Sequence, residues 1–300
     1  MSLTLRAGRI AEVRLLSKVI MVTSFKGGVG KTTVSANLSM ALARIGNKVV
    51  AVDCDLESRC LDIVLGLEDS SLYNVSDVLS GRCTPFEATV SDPRCENLKF
   101  IPAPAYYDFL DRNGSASNVS LEAVRAFIDD LRTVYDYVIL DCPARPDDLY
   151  RALTKVATHA VVVSLHTAAS IRAAEKTAMM LFDMSLRDSE IAFGDDGSPD
   201  LGSALKTRLI VNGFKAAAAV KGIRPRIYDI VSKTSIKLLG VLPFDEAICA
   251  AQENGRLCYE VKRGKNSFAA AMDNVAARCC GENVLLLKNV KTGKSRSKLI

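Results

Sequence analysis

A chain of 300 residues, 49% hydrophobic and 24% charged, has the apolar content for one large α/β domain or two small ones, and no apolar run in it reaches the length of a membrane span. Nine cysteines, odd in number and without a C-x-x-C pair, argue against a disulfide framework, a zinc site or an iron–sulfur site and for a reducing cytoplasm; the N-terminus lacks the apolar core and cleavage site of a secretory signal. The net charge of +5 resides after Glu282, in Lys288, Lys291, Lys294, Arg296 and Lys298, so residues 1–282 are formally neutral and DNA binding by the body of the chain is disfavoured.

The first 18 residues are basic, with Arg6, Arg9, Arg14 and Lys18 against Glu12 alone. Ile10, Val13 and Leu16 can share a helix face, so residues 1–17 read either as a short membrane-surface or partner helix or as a frayed extension. Lys18 to Thr23 is apolar and reads as a buried strand. Ser24 to Thr33, SFKGGVGKTT, follows it directly, and Val34, Leu38, Met40, Leu42 and Ile45 then make a helical stripe closed by Gly46. A loop between strand and helix aims backbone N–H groups and the positive end of the helix dipole at one point, where phosphate is the natural occupant. Gly27, Gly28 and Gly30, with Val29 between them, supply the backbone freedom; Lys31 places a cation on the β/γ-phosphates, and Thr32, followed by Thr33, offers a hydroxyl to Mg²⁺. The pattern G-x-x-x-x-G-K-[ST] is complete except for its first Gly, which is Phe25 here, and Lys26 is a cation that pattern does not require.

Val49 to Val52 is a second strand, ending at Asp53-Cys54-Asp55. A helix-capping role would account for one of these carboxylates. The pair, at the C-terminal edge of a parallel strand beside a phosphate loop, suggests a Mg²⁺ ligand and a water-positioning group. Residues 56–97 read as short helices and loops, Leu98 to Ile101 as a strand, 103–118 as a loop, and Ser120 to Val134 as a helix capped by Ser120. Tyr137 to Leu140 is a buried strand closing on Asp141, the pattern of a Walker B carboxylate near Mg²⁺.

Ala160 to Leu165 is a strand flanked by His159 and His166, both read as structural. A helix over Ser170 to Met184 and a solvated, Asp-rich excursion over 185–205 follow. Leu209 to Asn212 is a strand, Gly222 to Ser232 a helix, and Leu238 to Leu242 a strand ending at Pro243; helices near 245–253 and 266–280 complete the pattern. Strands alternate with helices without a break in composition. The expectation is one doubly wound, mostly parallel α/β domain over residues 18–281, with a basic tail over 282–300. Asn212 is followed by Gly213, Phe214 and Lys215 with no Asp, so the N-K-x-D box that reads guanine is missing and ATP is favoured over GTP.

KGGVGKTT, with its leading lysine, resembles the deviant Walker A motif of the ParA/MinD family of ATPases. VVAVDCDLESRCLDIVLG, YDYVILDCPA and GVLPFDEAI are similar to the family's second motif, its Walker B segment and its adenine-side loop. The resemblance runs from about residue 18 to about residue 281. It implies an ATP-hydrolysing spatial regulator coupled to dimerisation, acting in division-site selection at the membrane, with ATP and Mg²⁺ as ligands. A homodimer, and a protein partner that activates it or is recruited by it, would be its assemblies. A ParA-like or flagellar-number-type positioning ATPase of the same family, or a nucleotide-dependent scaffold with negligible turnover, stands as the alternative.

Carried over by position, the resemblance puts Lys26 on the partner subunit's phosphates, Lys31 and the backbone of Gly27 to Thr33 on the bound phosphates, and Thr32 on Mg²⁺ with Asp53 and Asp141 nearby through water. It gives Asp55 the attacking water, and Asn212 and the Pro243 loop the adenine. The chain departs from the family at Phe25, at Cys142 and Arg145 in its D-C-P-A-R, at Thr167 where a Glu is common, and at Ala173 where an acidic residue is common. The basic tail and N-terminal extension are candidate contacts for an anionic membrane surface, which would place the protein in the cytoplasm or on the inner face of the membrane.

Overall fold

The computed structural model describes residues 17–68, 70–105, 119–188, 205–261 and 267–290. The N-terminal extension up to Leu16, most of the 103–118 loop, residues 189–204 of the Asp-rich excursion and the last ten residues of the basic tail lie outside them.

Eight strands form one sheet in the order β3-β4-β2-β5-β1-β6-β7-β8. They are β1 (Lys18–Thr23), β2 (Val49–Asp53), β3 (Val90–Ser91), β4 (Leu98–Ile101), β5 (Tyr137–Asp141), β6 (His159–Leu165), β7 (Lys206–Phe214) and β8 (Leu238–Pro243). Every neighbouring pair is parallel except the two-residue edge strand β3, which runs antiparallel to β4. The central strands are apolar at consecutive positions because both faces are covered. Val19 and Met21 of β1 belong to one core, while Ile20 and Val22 belong to the other.

One core lies under α3 (Val75–Leu79), α4 (Leu121–Leu131), α5 (Asp148–Val156), α6 (Ala168–Asp188) and α8 (Ile227–Thr234); the opposite core lies under α1 (Lys31–Arg44), α2 (Leu61–Leu65), α9 (Glu246–Gln252) and α10 (Phe268–Cys279). The expected doubly wound α/β architecture is therefore present. Ser120 caps α4 as anticipated, accepting a hydrogen bond from the Ala123 amide.

Three differences from the sequence pattern have local causes. The helix anticipated over Gly222 to Ser232 starts later, as α8, and an unanticipated helix, α7 (Ala216–Val220), precedes it. Gly222 sits between them with φ +72, in the left-handed region that ends a helix, and Pro225 precedes the second one. Helix α5 occupies a stretch where the pattern predicts no element; Asp147 caps it by accepting from the Tyr150 amide. Residues 282–290, assigned to the tail, lie on the domain: Val290 is buried, and Leu286 and Leu287 pack against the core.

Candidate nucleotide site

The C-terminal ends of β1, β2 and β5 meet at one edge of the sheet, where an open parallel sheet has its ligand crevice. The loop from Ser24 to Gly30 leaves β1 there and enters α1. Gly28 (φ +70) and Gly30 (φ +88) are left-handed, so the loop turns back on itself ahead of the helix. A Cβ on Gly30 would also collide with the side-chain amide of Asn212. That amide donates to the Val29 carbonyl at 2.9 Å, while the Asn212 Oδ1 accepts from the Gly213 amide at 2.9 Å. Asn212 thus ties the loop to β7, two strands over from β1, where the loop began.

Lys31 is buried at the first turn of α1, and Thr32 and Thr33 follow it half-buried. Asp53 and Asp141 face each other in the β2–β5 register and are both buried. Asp53 accepts from the amides of Asp55 at 3.1 Å and Leu61 at 3.0 Å. Asp141 accepts from the Ser35 hydroxyl at 2.8 Å, and the Thr32 hydroxyl and Lys31 ammonium lie close enough to favour its charge. Burial dominates both carboxyls. Asp53 is pushed well above the carboxylate range by burial and by the Asp141 charge, and Asp141 is raised to about 6 by burial. Two desolvated carboxyls behind a phosphate loop are a donor set awaiting a cation.

Among the described residues no three His, Cys, Asp or Glu side chains cluster to chelate a metal by themselves. The arrangement suits Mg²⁺ held by the Thr32 hydroxyl and by nucleotide phosphates, with Asp53 and Asp141 taking its water ligands. Mg²⁺ commonly keeps several waters in this way.

Asp55 lies half-buried beyond Asp53; its Oδ1 accepts from the Ser58 amide at 3.2 Å, which leaves its other oxygen without a partner among the described residues. It lines a groove of about 360 Å³ with Pro143, Arg145 and Asp147, where Arg145 pairs with Glu57. Lys26 is half-buried and makes no hydrogen bond or ion pair with the described residues. Phe25, in place of the expected Gly, packs its ring 5.7 Å from that of the buried Tyr150, and its amide donates to the Thr177 hydroxyl at 3.1 Å. The ring ties the start of the loop to α5, and the backbone amide ties it to α6.

On the far side of the loop a cavity of about 390 Å³ is walled by Val29, Gly30, Thr33, Asn212 and Pro243, all near positions the sequence singles out. His166, Lys215, Arg224, Phe244 and Gln252 complete it and were not anticipated as site residues. The Lys215 ammonium sits 3.9 Å from the centre of the Phe244 ring, and Gln252 accepts from the Thr33 hydroxyl at 3.1 Å. Their only sequence signal is position just past a strand end, at His166 and Phe244. Ser35 had a clearer one, since it lies one helical turn after Lys31. Thr167 is occupied in capping α6, through the Ser170 amide and hydroxyl.

A protein-family model described as an AAA domain matches residues 17–180. The septum site-determining protein MinD of Synechocystis is 33% identical over 273 residues, covering 91% of this chain and 92% of that one. The MinC:MinD cell division complex of Aquifex aeolicus matches with a TM-score of 0.75 at 27% identity, over 91% of this chain and all of that one. MinD complexed with Mg-ADP from Pyrococcus horikoshii matches with a TM-score of 0.68 at 25% identity, over 88% of this chain and 96% of that one. With a glycine loop, two acidic strand ends and nearly full-length identity of this order, the chain belongs to the MinD proteins of the ParA/MinD family of deviant Walker A ATPases.

Proposed function

We propose that this protein is an ATP-hydrolysing switch of division-site selection whose active form is an ATP-bound homodimer. The observation that carries the reading is the pairing of the left-handed glycine loop with the buried Asp53 and Asp141. The P. horikoshii relative complexed with Mg-ADP supports the ligand pair, and the MinC:MinD complex supports a protein partner.

The backbone amides from Gly27 to Thr33 bind the β- and γ-phosphates, and the buried Lys31 neutralises them. Bound at the Thr32 hydroxyl, Mg²⁺ would supply charge neutralisation at the β- and γ-phosphate oxygens. Asp53 and Asp141 hold the surrounding water shell in place. Asp55 uses its free oxygen to orient the attacking water in line with the γ-phosphate. Asn212 fixes the loop from the adenine side, and the Pro243 turn closes over the base. Lys26, with no partner among the described residues, reaches the phosphates of the other subunit. Most of the rate gain comes from positioning and charge, so turnover depends on a second subunit arriving. Recruitment to an anionic membrane through the basic tail would then follow the nucleotide state.

Asp55→Ala tests the catalytic assignment. The variant should bind ATP, dimerise and lose at least about a hundredfold in turnover, in the range expected for loss of one positioned group. Unchanged turnover would sink the role given to Asp55. Sedimentation with anionic vesicles in ATP and in ADP tests the membrane step: more protein pelleting in ATP is expected, and equal pelleting would exclude nucleotide control of it.

A further inference from the structure

At the opposite edge of the sheet from the nucleotide site, the strands begin rather than end. Lys18 starts β1, His159 starts β6, and Lys206 and Arg208 open β7. Strand register puts Ile20 beside His159, His159 beside Lys206 and Val161 beside Arg208. Alternation along each strand then places Lys18, His159, Lys206 and Arg208 on one face of the sheet, the face that α10 covers. Further along, that face is apolar, with Ile20, Val161 and Ile210 in the core. Helix α10 ends at Cys279, which with Arg278 of its last turn and these side chains lines a cavity of about 220 Å³. The cavity is several times the ~30 Å³ that a water molecule occupies in the liquid.

The cavity wall carries four fixed positive charges and no carboxylate. None of the four cations makes an ion pair among the described residues. Lys18 donates to the Cys279 carbonyl at 2.6 Å, Arg208 to the Thr207 carbonyl at 3.0 Å, and Arg278 to the carbonyls of Leu239 and Val284. These neutral partners use only part of the donor capacity: among the described residues, Lys206 has all three of its N–H groups left, and Arg208 four of its five. The carboxylate of Asp136, next to β5, is turned to the Lys48 amide. Nδ1 of His159 meets the Thr158 hydroxyl at 2.8 Å, which leaves Nε2 without a partner among the described residues.

We propose that this cavity is a second anion site, separate from the nucleotide site, that takes a phosphate-class dianion between Arg208, Lys206, Lys18 and Arg278. Charge count favours a multivalent ion over chloride or a single carboxylate. A phosphate group near −2 offsets much of the repulsion, and its tetrahedral oxygens suit guanidinium forks and ammonium groups together. His159 supports the assignment from the side. Burial and the neighbouring Lys18, Lys206 and Arg208 hold it neutral, down to about 4, and an anion among those cations would restore part of its basicity.

The test follows the imidazole of His159 by NMR in the full chain, with Mg·ADP present to fill the nucleotide site. Inorganic pyrophosphate, soluble glycerol 3-phosphate, and vesicles of phosphatidic acid or phosphatidylcholine serve as probes. Pyrophosphate should shift the His159 resonances saturably and raise its pKa. The double variant Lys206→Gln/Arg208→Gln, changed at partly exposed positions, should weaken that half-saturation about tenfold or more with ADP binding unchanged. A response to phosphatidic acid vesicles, and not to phosphatidylcholine, would place the phosphate on a lipid headgroup; a response to pyrophosphate and glycerol 3-phosphate alone would make it a free phosphate. Silence of His159 toward all the probes, or an equal response in the double variant, would overturn the proposal. So would a His159 that titrates at 6.5 or above with no anion added, since the neighbouring cations would then not be acting on it.

Discussion

Asp53 and Asp141 stand opposite each other on β2 and β5, both buried, with two backbone amides on one and the Ser35 hydroxyl on the other. Without a cation this pair strains the fold electrostatically. Asp141 is raised from 3.8 to about 6, so between those pH values the native state holds a proton that the unfolded state has released. The stability linked to this group is therefore present below about pH 4 and is lost as pH rises through about 6. At neutral pH, Asp141→Asn should stabilise the nucleotide-free protein by on the order of 2 kcal/mol and flatten its stability between pH 4 and 6.5, as read by urea unfolding. The same variant should weaken Mg-dependent ADP binding. Equal unfolding curves for the two proteins at neutral pH would mean that the carboxyl pair is already neutralised.

Gly30 is fixed by two constraints at once, its φ of +88 and the Asn212 amide lying where a side chain would go. Gly30→Ala should abolish nucleotide binding, measured by calorimetry with Mg·ADP. Asn212→Ala removes the tie to the Val29 carbonyl and should loosen the loop, weakening ADP by about tenfold, the worth of about one hydrogen bond to a preorganised site. Combining the two should not restore binding, because the backbone constraint remains. Recovery in the double variant would show that steric conflict alone sets the Gly30 requirement.

Phe25 replaces a small residue with an aromatic anchor on Tyr150. Phe25→Gly should cost about 2 kcal/mol of stability, below the full cost of emptying a buried aromatic site because Phe25 is half-buried, and should leave Mg·ADP affinity within a few-fold. Thermal unfolding with and without nucleotide checks both parts. Loss of binding at unchanged stability would mean that the ring shapes the phosphate loop directly.

The loop and the two acidic strand ends were legible because their signals are local. Gly28 and Gly30 lie in a ten-residue stretch between a strand and a helix, and Asp53 and Asp141 each close an apolar run. The base-side cavity was only half legible. Asn212 lies two residues before the end of β7 and Pro243 ends β8, but Arg224 and Gln252 reach the cavity through sheet order and helix placement, which no local pattern encodes. Strand β3 is two residues long and exists only by pairing with β4. Helix α5 had a readable start, Asp147 ahead of Leu149, Tyr150 and Leu153, obscured by Pro143 and Pro146 just before it. Gly222 misled in the other direction: it ends one helix rather than opening the next.

In the proposed function Lys26, without a partner among the described residues, acts on a second subunit. Light scattering of wild-type protein and Lys26→Ala, each in Mg·ATP and in Mg·ADP, tests it most directly. The expected result is a dimer for the wild type in ATP alone, and a monomer for Lys26→Ala in both nucleotides, with ADP affinity preserved and ATP turnover lost. An ATP-dependent dimer of Lys26→Ala with undiminished turnover would contradict the account.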